Sequence, residues 1–447
     1  MALAVGMIAC TGQNTPTDTT GSGGTVAETD TVGDDVDNQT WTDTLLIVWN
    51  GANASVQGSV ENVDVRSENG YVTVTSSSSN QITYILSGNG TGNISFYGET
   101  KFNLSLNGLT LACSNAPAIN NQCKKTCYVV VNGSNCLSDG SSYASSSEDR
   151  KAALFSEGQL IFSGEGSLSV TGHYKHGIAS DDYLHFRSGT LTVQSASDGL
   201  RANDGVFIDG GFITVQAGAD GIQCDTNVVT IKGGVTAVTA GDEGITAYGA
   251  ITISGGELYV QAGDDAINSS SDITVSGGCV CAYSTGNDGI DANGNCYIKG
   301  GVVYAIGARE PEVAIDANSE EQKKLYLTGG TIVAIGGLES GANLSQSCYS
   351  ASSWSKNSWY ALTVGSDVLA FKTPSSGGST LVVSGASTPT LQAGVNASGT
   401  AIFNGMGYYP ASVSGGSNVS LSSYSGGSNG PGGGGPGGGG PGGGRRN

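Results

Sequence analysis

The stretch Asp198 to Ala219, DGLRANDGVFIDGGFITVQAGA, decides the fold. It holds three short β-prone runs, LRA, VFI and FITVQA, separated by Gly, Asp and Asn, and it has no helical periodicity. The same unit recurs on both sides. Glycine doublets place their second glycine, or its look-alike, at Gly189, Gly211, Gly234, Gly256, Gly278, Gly301 and Gly330. In phase with them run HGI at His176, DGL at Asp198, DGI at Asp220, EGI at Glu243, DAI at Asp265 and DGI at Asp288. Two ladders with steps of 22 or 23 residues, apart from a last glycine step of 29, describe one repeating coil of three strands. The expected fold is therefore all-β: a right-handed parallel β-helix with coils of about 22 residues, each burying its apolar side only by stacking on its neighbours. The calcium-binding nonapeptide roll needs a nine-residue period that this chain lacks.

Side chains alternate by two along a half-buried strand. One inward column is then Ile178, Leu200, Ile222, Ile245, Ile267, Ile290 and Ile315; a second, of small residues, is Ser180, Ala202, Cys224, Ala247, Ser269, Ala292 and Ala317. Working outward, less regular coils extend back to about residue 41, and the period fails past Gly337. The expected organisation is residues 1–10 as a signal remnant, 11–40 as a disordered tether, 41–340 as the β-helix, 341–425 as a cap or small β module, and 426–447 as a Gly/Pro-rich tail. Met7-Ile8-Ala9-Cys10 reads as a lipobox with Cys10 lipidated, which places the chain outside the cytoplasm, secreted or on the cell surface as an outer-membrane lipoprotein.

Composition excludes several functions. Glycine supplies 73 of 447 residues, too many for a helical protein, and Asp+Glu outnumber Lys+Arg 38 to 18 for a net charge of -20. A nucleic-acid backbone is a poor partner for such a surface, whereas divalent cations suit it. There is no GxSxG, and the only histidines lie between 173 and 185. Ten cysteines show no zinc spacing, and a disulfide is expected among Cys113, Cys123, Cys127 and Cys136.

Outward columns of a β-helix are surface ladders. The residue before the DGI glycine is His176, Asp198, Asp220, Glu243, Asp265 or Asp288; two after it come Ala179, Arg201, Gln223, Thr246, Asn268, Asp291 and Asp316. Carboxylates stacked about 5 Å apart repel unless a cation or proton intervenes, and calcium accepts six to eight oxygen ligands. The expected main calcium ligands are Asp181, Asp182, Asp198, Asn203, Asp204, Asp220 and Asp225, with Asp265, Asp288 and Asp291 as a second group. Each Asp also has a plain reading as a turn residue bonded to nearby amides. Arg201 lies between two acidic columns, as a counter-ion or as a clamp for an acidic sugar; His176 and Lys232 join it as candidate sugar contacts.

The run from Ala152 to Asp225, with its GEGSLSVTG, HGI, SDD and repeated DGI units, resembles the secreted bacterial carbohydrate-binding β-helix family related to family 9 polysaccharide lyases. That resemblance implies bound calcium on the SDD and DGL/DGI units, surface attachment, and binding of acidic polysaccharide such as polygalacturonate and of cellulose. It favours a non-catalytic, monomeric binder. The alternatives are a calcium-assisted pectate lyase acting by β-elimination, for which Lys232 is a weak candidate base, and a β-helical adhesin or spacer.

Overall fold

The computed structural model describes residues 34–426. Cys10, all of the tether but its last seven residues, and all of the tail beyond Gly426 lie outside the described residues. The chain is all-β, 2% helical, and forms a parallel β-solenoid of about 10 turns with coils of about 23 residues. Each coil runs through three sheets. In the repeat quoted above, Leu200–Ala202 belongs to the first sheet, Gly205–Ile208 to the second and Phe212–Ala217 to the third. Successive coils pair in parallel with every column in register: Leu200 faces Ile222, Val206 faces Val229, and Ile213 faces Thr236.

Both inward columns of the first sheet are buried throughout, from Ile178 to Ile315 and from Ser180 to Ala317. Each buried Ile or Leu contributes about 1.5–3 kcal/mol, repeated once per coil. The two glycine ladders have separate causes. The second glycine of each doublet turns the chain from the second sheet into the third with positive φ, from +78° at Gly234 to +96° at Gly330, where a side chain is strained. The DGI glycine is tight for a different reason: a Cβ on Gly199 would stand 2.2 Å from Val215 Cγ1 and 2.6 Å from the Gly221 carbonyl.

Antiparallel strands lie against both ends of the solenoid. At the start, Asp43–Gly51 runs parallel to Ile82–Thr91 and antiparallel to Asn53–Gln57, with Trp49 buried and its indole N–H bonded to the Gly70 carbonyl at 2.9 Å. At the far end, Leu381–Ser384 pairs antiparallel with Thr331–Ile335. Trp359–Val364, Asp367–Lys372, Thr390–Ile402 and Gly407–Val419 close into an antiparallel barrel. The barrel packs on the outer face of the third sheet through Tyr259, Cys281, Tyr304 and Val333, which cluster with Leu362, Phe371 and Phe403.

The disulfide expectation is corrected: Cys113, Cys123, Cys127 and Cys136 are all free thiols. Cys113, Cys123 and Cys127 are buried, whereas Cys136 is exposed on the outer face of its strand. Among the described residues no helix is long and apolar enough to cross a membrane.

Candidate functional site

The first sheet carries the chemistry. Its strands are three residues long in most coils, with the outer two side chains inward and the middle one outward, so that Arg201, Gln223, Thr246, Asn268 and Asp291 form one outward column. The DGI acids sit at the corner entering this sheet. The expectation that they form a surface ladder needs correction: His176, Asp198, Asp265 and Asp288 are buried, and Asp220 and Glu243 are half-buried. Burial follows from their bonds: four of these six side chains meet a backbone N–H of the next coil. Asp220 accepts from Glu243 at 3.1 Å, Asp265 from Asp288 at 2.8 Å and Asp288 from Val313 at 2.5 Å, while the Asp198 N–H donates to His176 Nδ1 at 3.3 Å. Asp220, Asp265 and Asp288 therefore do bind neighbouring amides, as turn residues do, and they remain carboxylates stacked coil upon coil.

The two halves of the ladder have opposite electrostatics. In the early coils, cations of the chain itself occupy the carboxylates. Arg201 reaches Asp198 at 2.9 Å and Asp225 at 3.0 Å; Lys151 reaches Asp181 at 2.5 Å and Asp149 at 3.0 Å. Burial opposes ionisation of Asp198, but His176 and Arg201 overcome it and hold its carboxyl at about 2. Asp182 accepts from the Gln159 amide at 2.5 Å, and burial together with Asp204 raises its pKa. Asn203 is half-buried and Asp204 exposed in the turn leaving the sheet, on the opposite side of the strand from Asp198. Asp220, with no cation beside it, is pushed to about 7 by burial, Asp198 and Glu243.

In the late coils no such cation is present among the described residues. Burial, Asp291 and Asp288 push Asp265 up to about 9, and burial with Asp291 and Glu312 pushes Asp288 to about 8. Asp291 and Asp316 are both raised, chiefly by burial, and Asp316 further by its hydrogen bond with Glu339. Ligand atoms of Asp288, Asp291 and Asp316 all lie within 4.8 Å of one another. A set made only of carboxylate oxygens, three of them crowded and reluctant to ionise, suits a hard divalent ion such as calcium and not a thiolate- or imidazole-seeking metal.

Of the residues singled out in the sequence, Asp288 and Asp291 are thus brought together, with Asp265 one coil before Asp288. Asp316 was placed in the outward column but not among the ligands. The signal was present, since IDAN at 290–293 recurs as IDAN at 315–318. The intervening loop, 307–314, stretches the period and hides the match. Lys232 is exposed at the corner between the second and third sheets, 4.0 Å from Asp209, away from the first sheet. His176 is turned inward against Asp198 at 3.1 Å. A second feature escaped the sequence reading altogether: buried His185 on the second sheet sits between Asp34 at 2.6 Å and Asp209 at 2.8 Å.

A parallel β-solenoid with a carboxylate-lined corner defines the class of repeat protein to which the chain belongs. More specifically, the chain belongs to the family described as carbohydrate-binding domain-containing protein, whose model matches residues 68–317 and so includes Asp288, Asp291 and Asp316. A solved structure similar to it is that of a polysaccharide lyase-like protein from C. thermocellum, a gadolinium derivative, at 23% identity and TM-score 0.42, covering 58% of this chain and 94% of that one. No curated protein matches it.

Proposed function

We propose that this chain binds acidic polysaccharide non-catalytically, with calcium held by Asp288, Asp291 and Asp316 bridging to sugar carboxylates. The convergence of these three side chains within a carbohydrate-binding domain carries the reading. A surface of net charge -20 repels polyuronates, and a bound divalent ion reverses the sign of the potential where it sits. Calcium has coordination positions to spare beyond three carboxylates, and sugar oxygens fill them. Lipidation at Cys10 belongs to the same proposal, as the means of holding the domain at the bacterial surface. The experiment is binding of polygalacturonate by calorimetry with calcium and with chelator, for the native chain and Asp316→Asn. Calcium-dependent binding that is weakened in Asp316→Asn supports the reading. Equal binding with and without calcium removes the bridging role.

A further inference from the structure

The corner that carries the acidic ladder begins, at its N-terminal end, with a cluster of opposite character. Between Ser134–Ser138 and Ala152–Ser156 the chain takes 13 residues to turn from the third sheet into the first, whereas the next two coils need three, 173–175, and four, 196–199. The additional length is not required to close a coil. It places Tyr143 on Tyr174, with ring centroids 4.2 Å apart and planes at 24°. Arg150 lies 6.0 Å from the Tyr143 ring centroid and Lys175 lies 5.6 Å from that of Tyr174. Buried Asp139 ties the two turns together: it accepts the Tyr143 hydroxyl at 2.6 Å and the His173 backbone N–H at 2.5 Å.

In a chain with 38 acidic residues, neither Arg150 nor Lys175 has a carboxylate within ion-pair distance among the described residues. Lys151, Arg187 and Arg201, by contrast, are all paired. The exposed His173 ring, 53% accessible, lies in the same turn. The Arg150 guanidinium also donates to the Ala144 carbonyl at 2.5 Å, which orients it without neutralising it. A guanidinium and an ammonium held on a tyrosine pair, with no carboxylate of the described residues paired to them, form a receptor for carboxylate groups.

We propose that Arg150 and Lys175 on the Tyr143–Tyr174 pair form a second, calcium-independent subsite for the carboxylates of an acidic polysaccharide. The proposal rests on the carbohydrate-binding reading above and deepens it. Five coils separate the turn before His176 from Asp288, about 24 Å at about 4.8 Å per coil. One polyuronate chain lying along this corner spans both sites, its carboxylates held directly at one end and through calcium at the other.

The test is binding of polygalacturonate in chelator, compared with Arg150→Gln/Lys175→Gln and with the charge-retaining Arg150→Lys/Lys175→Arg. The native chain is expected to keep a salt-sensitive affinity in chelator, the Gln pair to lose about tenfold, and the charge-retaining pair to keep most of it. Unchanged binding by the Gln pair, or native binding that vanishes in chelator but returns with calcium, overturns the subsite and leaves the calcium reading standing. No binding of polygalacturonate under any condition overturns both.

Discussion

The Arg201 guanidinium stands 3.0 Å from the Asp225 carboxylate, one coil further along the first sheet. The same side chain reaches back to Asp198, so one cation neutralises acids on both sides of its strand. Arg201→Gln leaves Asp198, 4% exposed, with His176 and the Ser197 hydroxyl as partners but without its guanidinium. The expected cost is about 2 kcal/mol, below the fully buried case because Arg201 itself is 30% exposed. Urea unfolding at pH 7 measures it.

Calcium is expected to raise the unfolding temperature at neutral pH. At a free concentration 100 times its dissociation constant, the linkage is about 2.7 kcal/mol for a single site. Asp291→Asn and Asp316→Asn should each reduce that calcium-dependent shift, whereas Asp225→Asn, whose carboxylate already faces Arg201, should not. Thermal melts with calcium titrated against chelator separate the three.

The pH dependence in chelator has a definite sign. Asp265 and Asp288 titrate at about 9 and about 8 in the folded chain, above the ordinary carboxylate value of 3.8. The native state therefore keeps protons that the unfolded chain releases, and stability falls as pH rises from about 4 towards 9. Asp198 acts oppositely: held at about 2, it contributes stability above 3.8 that is lost on further acidification. Denaturation midpoints between pH 3 and pH 9 in chelator should peak near the acidic side of neutrality, and calcium should flatten the alkaline limb.

His185 fastens residues 34 and 35 across the second sheet. Burial disfavours its charge, but the hydrogen bonds to Asp209 and Asp34 outweigh burial and raise its pKa. That stabilisation is complete below about 6.5 and is lost as pH rises through the raised value. Tyr183, which donates to Asp34 at 2.7 Å, and Arg187, 3.7 Å from Asp35, remain as further ties. Hydrogen exchange of residues 34–42 should be slower in the native chain than in His185→Gln at pH 6, and the difference should shrink by pH 9.

Gly199→Ala tests the packing of the corner. Its Cβ meets Val215 Cγ1 and the Gly221 carbonyl, and relief requires the backbone to move, so a loss of about 1–3 kcal/mol is expected. One coil type already tolerates a methyl group: Ala266 takes the glycine's place and is fully buried. Ala266→Gly should consequently cost stability as well, and chemical denaturation of both variants decides the point.

Sequence was sufficient for the solenoid because its evidence is periodic. A coil repeats its inward Ile, its inward small residue and its two glycines at nearly constant spacing, and hydrogen bonding between identical coils requires that spacing. It was equally sufficient for placing Asp288 and Asp291 on a shared corner. What it did not reveal depends on contacts across irregular segments. Asp316, already in its column, was not seen to converge with Asp288 and Asp291, the 139–151 loop placed Arg150 near Lys175, and Asp34 met His185 across 151 residues.

Repetition along the chain thus determined the fold, the columns and the acidic character of one corner. Only the tertiary structure decided which acids are neutralised. Arg201 and Lys151 spend their charge on early carboxylates, while Asp288, Asp291 and Asp316 converge with no cation of the described residues paired to them. The physical reason is that periodicity specifies which residues share a column, whereas charge compensation depends on the reach of individual side chains and on burial, neither of which has a period.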